Sequence, residues 1–491
     1  MESFGPTRGH PLAILDGFFK NFGLLILYGG ISIFSGGDFI MENLELLILC
    51  LVAPVIKVVH YLSTYVTFDQ DKVVITSGIF TKKKVEIPIG TITTVDLTQP
   101  VVYQLFHVYK VTIDNGSQSP DVDNAAEIAL SLREDQAVKV KEMVGRMTRK
   151  DKEEIEDETK LTGEPILAAG KELLLLGVYR GHIVPFFSFL LGLSTMFTMV
   201  QNNEEMSGQV KTFVDWYFTI LNPVGGTVLL FLVSYAAAVL LPCVMNYIRY
   251  YGFLLSRKSD TVQIEFGLLT KKKYSLNKKK ISGIVVKQSL LMRWFGYAEV
   301  EVLIIGFGDS SAEDKKEKAM LYPMMKLEEI PAFLERILPG YPLELELEQA
   351  RRGTLRYFFL CPRVVVCLAL AATASVYFLN VSKKPTVFTA MLVLLLLAVG
   401  MLCSAYQEYH NSGIRIKEQG VAFSNGGFTK TYYFISREKL EYASFGGSRW
   451  KQRKKLGNIE VGFQAPVTSN VIRVRNMTEE QFEQLQALEL V

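Results

Sequence analysis

The residues best suited to chemistry are lysines set in short runs. Lys82-Lys83-Lys84 and Lys271-Lys272-Lys273 each follow an expected hairpin turn, and Lys278-Lys279-Lys280 adds a third run nearby. Their chemistry is electrostatic. A basic side chain close to an anionic leaflet contributes about 1 kcal/mol and fades within a Debye length. The competing reading is a solvated turn that keeps a sheet edge from aggregating.

A second group mixes aromatic and basic residues: Arg293-Trp294 beside Phe295, and Arg449-Trp450-Lys451 with Arg453-Lys454-Lys455. Tryptophan flanked by cations suits a membrane interface, where the ring is half buried and the cation snorkels. For Phe106, Phe295 and Trp294 the alternative is a place in a module core, and the two phenylalanines are read as core. Lys57, Arg180, His182, Asp215 and Arg363 stand near the ends of apolar stretches and are read as snorkelling groups. Pro185, Pro223 and Pro242 could kink the second pair of stretches.

Catalytic constellations are missing. The histidines His10, His60, His107, His182 and His410 form no H-E-x-x-H and no metal-ligand spacing. There is no G-x-S-x-G, no P-loop and no G-x-G-x-x-G. The cysteines Cys50, Cys243, Cys361, Cys367 and Cys403 make no C-x-x-C and read as small buried apolar residues. Neither a catalytic site, a metal nor a cofactor is expected, and nucleic-acid binding is poorly placed on a module held at a membrane.

These residues are positioned by a threefold repeat. Gly78-Ile79-Phe80-Thr81-Lys82-Lys83-Lys84 recurs as Gly267-Leu268-Leu269-Thr270-Lys271-Lys272-Lys273, and weakly as Gly426-Gly427-Phe428-Thr429-Lys430. Residues 78–111 align without a gap on 267–300, matching Ile92 with Ile281, Gln99 with Gln288 and Phe106 with Phe295. The third copy keeps Leu440 and is read as needing about two extra residues, so that Leu456-Gly457 falls opposite Phe295-Gly296. So long a period implies domains, each with its own core, instead of solenoid units.

The 491 residues have nearly half apolar composition, a net charge of +3 and a mean hydropathy of +0.21. Charge is scarce in some windows and dense between them. Six windows reach the roughly 20 apolar residues a spanning helix needs: 18–37, 44–62, 176–200, 218–244, 358–379 and 387–406. The implied order is a first helix pair (1–62), a first module (63–148), a charged linker (149–170), a second pair (171–249), a second module (250–345), a third pair (346–406) and a third module (407–491). Basic flanks place modules and both termini in the cytoplasm, Lys383-Lys384 voting the other way. No removable signal peptide is indicated.

Each module reads as β-branched strands followed by one helix. The first helix presents Val140, Met143, Val144 and Met147, the second Ile330, Phe333, Leu334 and Ile337. The third opens on a capping box, Thr478 to Gln481, and presents Phe482, Leu485 and Leu488. The segments 150–160 and 309–318 are read as a linker and a surface loop.

An apolar pair, then Gly-x-x-Thr-Lys-Lys-Lys, then a strand-rich stretch closed by a helix resembles the bacterial PH-like membrane family (bacterial PH domain 2) in its long three-module form. The closest stretches are 77–80, 87–89 and 92–95. The second copy departs at Asn277-Lys278, in place of Pro88-Ile89. The third loses the lysine run after Lys430. The resemblance implies six transmembrane helices in three pairs, each followed by a PH-like bent antiparallel sheet or partial barrel with a C-terminal helix. It implies no enzymatic activity, a smaller single-module membrane protein of the same family as partner, and a role in envelope maintenance or stress resistance. The expected function is a non-enzymatic multi-pass membrane scaffold whose cytosolic modules bind proteins, anionic lipids or both. The alternative is a transporter or lipid-handling protein gated by the modules.

Overall fold

A computed structural model describes residues 4–14, 58–59, 61–69, 72–78, 82–88, 92–115, 127–147, 165–180, 212, 223–258, 261–278, 281–304, 319–341, 345–349, 353–359, 363–368, 385–463 and 471–488. The chain forms two compact units. One comprises Met1–Val178 and His182–Leu276, the other Tyr179–Gly181 and Asn277–Val491. The division falls inside the second repeat.

In the first unit, strands β1 (Phe4–Thr7), β2 (Tyr65–Phe68), β3 (Lys72–Ser77) and β4 (Lys83–Pro88) form one antiparallel sheet in that order. Then come β5 (Ile92–Pro100), a crossover helix α1 (Val101–Leu105), β6 (Val108–Asn115), β7 (Glu127–Arg133) and the closing helix α2 (Glu134–Met147). The alternation expected of half-buried strands is clear in β2, where Val66 and Phe68 are buried and their neighbours are not. Val66, Phe68, Val73 and Ile87 from the first sheet meet Leu97, Val111, Ile113 and Leu132 from the second in one core, which Ala137 and Val140 of α2 cover. The first repeat therefore has a core of its own.

The unit continues with β8 (Ile166–Leu167), α3 (Gly170–Tyr179), α4 (Pro223–Tyr250), β9 (Leu254–Lys258), β10 (Thr261–Phe266) and β11 (Thr270–Asn277). These strands join the first repeat's second half in a seven-stranded sheet, β7-β6-β5-β11-β10-β9-β8. The second unit repeats the plan. It holds β12 (Ile281–Gln288), α5 (Leu290–Phe295), β13 (Tyr297–Ile304), β14 (Ala319–Lys326), α6 (Ile330–Ile337), β15 (Glu348–Gln349), α7 (Leu355–Phe358) and α8 (Pro385–Asn411). The third repeat adds β16 (Gly413–Lys417), β17 (Gly420–Asn425), β18 (Lys430–Ser436), β19 (Leu440–Gly446), α9 (Arg449–Gln452), β20 (Leu456–Phe463), β21 (Val471–Thr478) and α10 (Glu479–Gln486). The sheets of the second unit are β14-β13-β12-β18-β17-β16-β15 and β19-β20-β21.

The repeats agree to the residue. A bulge follows the first residue of β5, β12 and β19, at Ile92, Ile281 and Leu440. A left-handed residue ends each crossover: His107 (φ 51°), Gly296 (φ 71°) and Lys455 (φ 53°). Lys455 thus stands opposite Gly296 with no insertion, and the two extra residues expected in the third copy are not there. The glycine that opens each hairpin tip has φ 108° at Gly78 and 109° at Gly267 and Gly426. At Gly267 a Cβ would lie 2.0 Å from the Thr270 carbonyl oxygen, so both dihedral and space demand glycine.

The fold differs from expectation in two respects. First, sheets are shared: β5 pairs with β11 and β12 with β18, so consecutive repeats are joined edge to edge instead of standing as separate bent sheets. Second, six transmembrane helices in pairs are not found. Among the described residues one helix is long and apolar enough to cross a membrane, Leu232–Tyr250 within α4. The window 18–37 lies outside the described residues, as do most of 44–62, 176–200 and 358–379. Where the last two begin, some apolar residues pack on protein, although Val364, Val365 and Leu368 are exposed. Leu173 and Leu176 of α3 are buried, and a Cβ on Gly177 would lie 2.3 Å from the Cα of Cys243 in α4. Phe358 joins the third repeat's core. Hydropathy registers apolar side chains alike whether protein or lipid covers them.

The closing helices follow their periodicity. Ile330, Phe333, Leu334 and Ile337 are buried. Thr478 and Gln481 form the capping box, Leu485 and Leu488 are buried, and Phe482 packs against the core. In α2 the side chains of Met143, Val144 and Met147 lie outside the described residues, as do the segments 150–160 and 309–318. Cys243 is buried, whereas Cys367 and Cys403 are exposed, against the expectation of burial.

Candidate membrane-facing site

Each shared sheet brings three parts together: the crossover helix of one repeat, the hairpin tip of the next, and the C-terminal end of a long helix. In the first unit, α1 turns Tyr103 inward, where its hydroxyl lies 3.1 Å from that of Ser131. Leu105 (76% exposed) and Phe106 (54%) point out. The Gln104 amide Nε2 lies 3.1 Å from the Gln99 carbonyl oxygen, 3.2 Å from that of Leu268 and 3.0 Å from that of Leu269, tying α1 to the tip. The Leu268 and Leu269 side chains are exposed. The tip in turn caps α4: the Gly267 N–H donates to the Tyr251 carbonyl at 2.8 Å and the Leu268 N–H to that of Ile248 at 3.0 Å. Carbonyls at a helix C-terminus lack intrahelical partners, and here the tip supplies them.

The second unit repeats this with different residues. Ser289 caps α5 by accepting the Met292 N–H. Met292 is buried, while Trp294 (72%) and Phe295 (59%) are exposed. Arg293 donates to the Gln407 side chain of α8 at 3.1 Å. The Asn411 amide donates to the carbonyls of Gly426 and Gly427 at 2.7 and 2.8 Å, and Phe428 projects from that tip. Phe106 and Phe295 are thus not core residues. The inward positions are three residues earlier, at Tyr103 and Met292, because a one-turn helix buries only one face.

Behind this tip lie buried charges that the sequence reading missed. Arg180 makes a two-pronged pair with the buried Glu299 at 2.9 and 3.0 Å, so it is an ion-pair partner and not a snorkelling residue. Tyr179 stacks on Phe295 and Tyr297, and its carbonyl accepts the Ser289 hydroxyl. Lys287 meets the buried Glu301 at 2.6 Å. Burial, with Glu301 nearby, pushes the Tyr433 phenol up from its ordinary value. The only signal was alternation of charge inside apolar strands.

The lysine runs lie in strands. Lys84 and Lys72 both reach Glu86 at 2.8 Å and draw its carboxyl down to about 2. Lys271, Lys272 and Lys273 stand in β11 opposite Gln99, Thr98 and Leu97, and Lys273 meets Glu265 at 2.9 Å. Lys82 is exposed just before β4, and the side chain of Lys83 is outside the described residues, as are Lys279 and Lys280. The Lys278 carbonyl accepts the Tyr341 hydroxyl at 3.3 Å. On α9 and the turn after it, Arg449, Trp450 (76%), Arg453, Lys454 and Lys455 are exposed and Lys451 is half-buried, with Arg453 6.0 Å over the Trp450 ring. Among the described residues no three His, Cys, Asp or Glu side chains gather as a metal site.

The segments 22–148, 216–339 and 365–488 each match the family described as Bacterial PH domain, together well over half of the chain. The chain belongs to the bacterial PH domain family. It is similar to the UPF0699 transmembrane protein YdbT of Bacillus subtilis (strain 168), with 24% identity over 423 residues, 84% of this chain and 82% of that protein. The bacterial PH domain occurs here in its long, three-module form. With a relative named as a transmembrane protein and an apolar helix of its own, the chain fits a membrane-associated, non-catalytic role.

Proposed function

We propose that this bacterial PH domain protein is a membrane scaffold. Its modules lie against the bilayer by their hairpin tips and crossover helices and bind proteins, anionic head groups or both. The reading is carried by one observation: the exposed Leu105, Phe106, Leu268 and Leu269 gather at the end of the apolar helix α4, where the tip caps Ile248 and Tyr251. Apolar side chains grouped in this way mark a surface made to be covered, and at a span's end lipid is the nearest apolar phase. Trp294, Phe295 and Phe428 hold the matching places in the second unit. Arg249 in the last turn of α4 favours a cytoplasmic position for the modules. Lys84 and Lys273 already have carboxylate partners, so anionic lipid would be met mainly by the exposed Lys82 and Lys271 and the cations around Trp450. A smaller single-module family member is the expected partner.

The test uses the full chain in vesicles, with Trp216 and Trp450 replaced by phenylalanine so that Trp294 alone emits. Lipids brominated near the head-group end of their tails should quench it strongly. Quenching by aqueous iodide alone would overturn the membrane-facing assignment.

A further inference from the structure

The internal junction between repeats is used twice in one register. In β5·β11, Gln99 faces Lys271, and in β12·β18, Gln288 faces Lys430. Gln99 and Gln288 are equivalent residues, as are Lys271 and Lys430, and both glutamines are buried. The junction is therefore one interface made from two complementary strands: the first strand of a repeat's second sheet and the last strand of the next repeat's first sheet. Three repeats in a row make two such junctions and, among the described residues, leave one strand of each kind over. Those are β4, at the edge of the first sheet, and β19, at the edge of the last.

The leftover strand β19 keeps the bulge of its paired counterpart β12 but not its burial. β12 is buried along nearly its whole length, whereas β19 is exposed at Glu441, Tyr442, Ser444 and Gly446. The lysines of β4 do not bar pairing, since Lys271, Lys272 and Lys273 pair with β5 within the chain. Pro88, which lacks an N–H, stands at the far end of β4, beyond the pairs in question. The second junction also shares a core across repeats: Val285 of β12 belongs to the third repeat's core.

We infer that β19 of one molecule adds to β4 of a second copy of this chain, extending the internal junction between molecules. Carrying the register over places Lys84 opposite Phe445, as Lys273 faces Leu97, and Glu86 opposite Ala443, as Phe434 faces Ile284. Such a contact is heterologous, head to tail, so it builds a ring or an open chain instead of a twofold dimer. It requires only open edges, and stands or falls separately from the membrane-facing assignment.

The experiment mixes two full-length chains of different tag size, both stripped of native cysteines, one carrying Glu86→Cys and the other Ala443→Cys. Mild oxidation should give a mixed disulfide band, because opposed strand residues meet disulfide geometry. Pairing Glu86→Cys with Tyr442→Cys, whose side chain leaves the opposite face, should give at least tenfold less. In detergent the wild type should sediment as multimers, and Ser444→Lys on the exposed edge should shift it towards monomer. A monomer at all concentrations with no mixed band overturns the inference. So does cross-linking of Glu86→Cys to itself at equal yield, which would mean a symmetric contact.

Discussion

β12 and β19 hold the same place in consecutive repeats, share a bulge and precede the same kind of crossover, yet one is buried and the other is an open edge. Their partners differ likewise. Glu301 of β13 is buried against Lys287, whereas its counterpart Glu460 in β20 reaches Arg473 at the surface, with the arginine 56% exposed. The difference lies in what the next repeat does. Where β18 closes the edge, apolar residues and a carboxylate are withdrawn from water; where no described strand pairs on that side, Ala443 and Ser444 stand in for Ile284 and Val285. A bacterial PH module here is thus stabilised partly by its neighbour, and its strand sequence records whether a neighbour is present.

The largest expected effect tests that dependence. Ile284 is fully buried, and its counterpart is Ala443. Ile284→Ala should cost about 2–5 kcal/mol, the usual range for an isoleucine emptied from a core. Ser444→Ala on the open edge should change stability by less than about 0.5 kcal/mol. Thermal unfolding of the full chain in detergent reads both. Equal losses would mean that burial of β12 owes nothing to the junction.

Next come the charges. Lys287→Ala leaves Glu301 buried without its ammonium partner and should cost about 3 kcal/mol. Arg473→Ala breaks an exposed pair and should cost under about 1 kcal/mol. The double variant Lys287→Ala with Glu301→Gln should recover part of the first loss, since the expense lies in the stranded carboxylate. No recovery would shift the explanation to lost packing of the lysine stem. Between these in size stands Gly267→Ala, about 1–3 kcal/mol, because its φ of 109° and the nearby Thr270 carbonyl both exclude a Cβ.

The sequence made local features legible and hid the relations between repeats. Strand alternation, the closing helices and the Thr478–Gln481 capping box leave period-2, period-3.6 and short-range signals, and each appears where those signals place it. The edge strands β8 and β15 were invisible because two residues carry no period. The junctions were invisible for a different reason. Pairing of β11 with β5 joins backbone groups 172 positions apart (Gln99 to Lys271), and the lysines that lie in it look like a solvated turn. The tips misled in the same way: Phe106 and Phe295 have core composition, and only the direction of a one-turn helix shows that Tyr103 and Met292 take the inward places. At the start of two of the apolar windows, Leu176 and Phe358 are spent on protein contacts, which hydropathy does not distinguish from lipid.

The smallest expected effect concerns the other open edge. Glu86 of β4 sits between Lys72 and Lys84, whose hydrogen bonds and charge draw its carboxyl down to about 2 from an ordinary value of 4.5. A depressed carboxyl contributes stability that is fully present above its unfolded value and is lost as pH falls from there through its folded value. The contribution of Glu86 should therefore hold above about pH 4.5 and disappear towards pH 2. Because the group is fully exposed, water and salt screen most of it. Glu86→Gln should lower the thermal midpoint slightly near neutral pH, less so at high salt, with the two proteins converging in acid. If β4 is covered by β19 of a second copy, that screening weakens, and the difference should grow with protein concentration. A difference independent of concentration would place Glu86 on an edge that stays open to water.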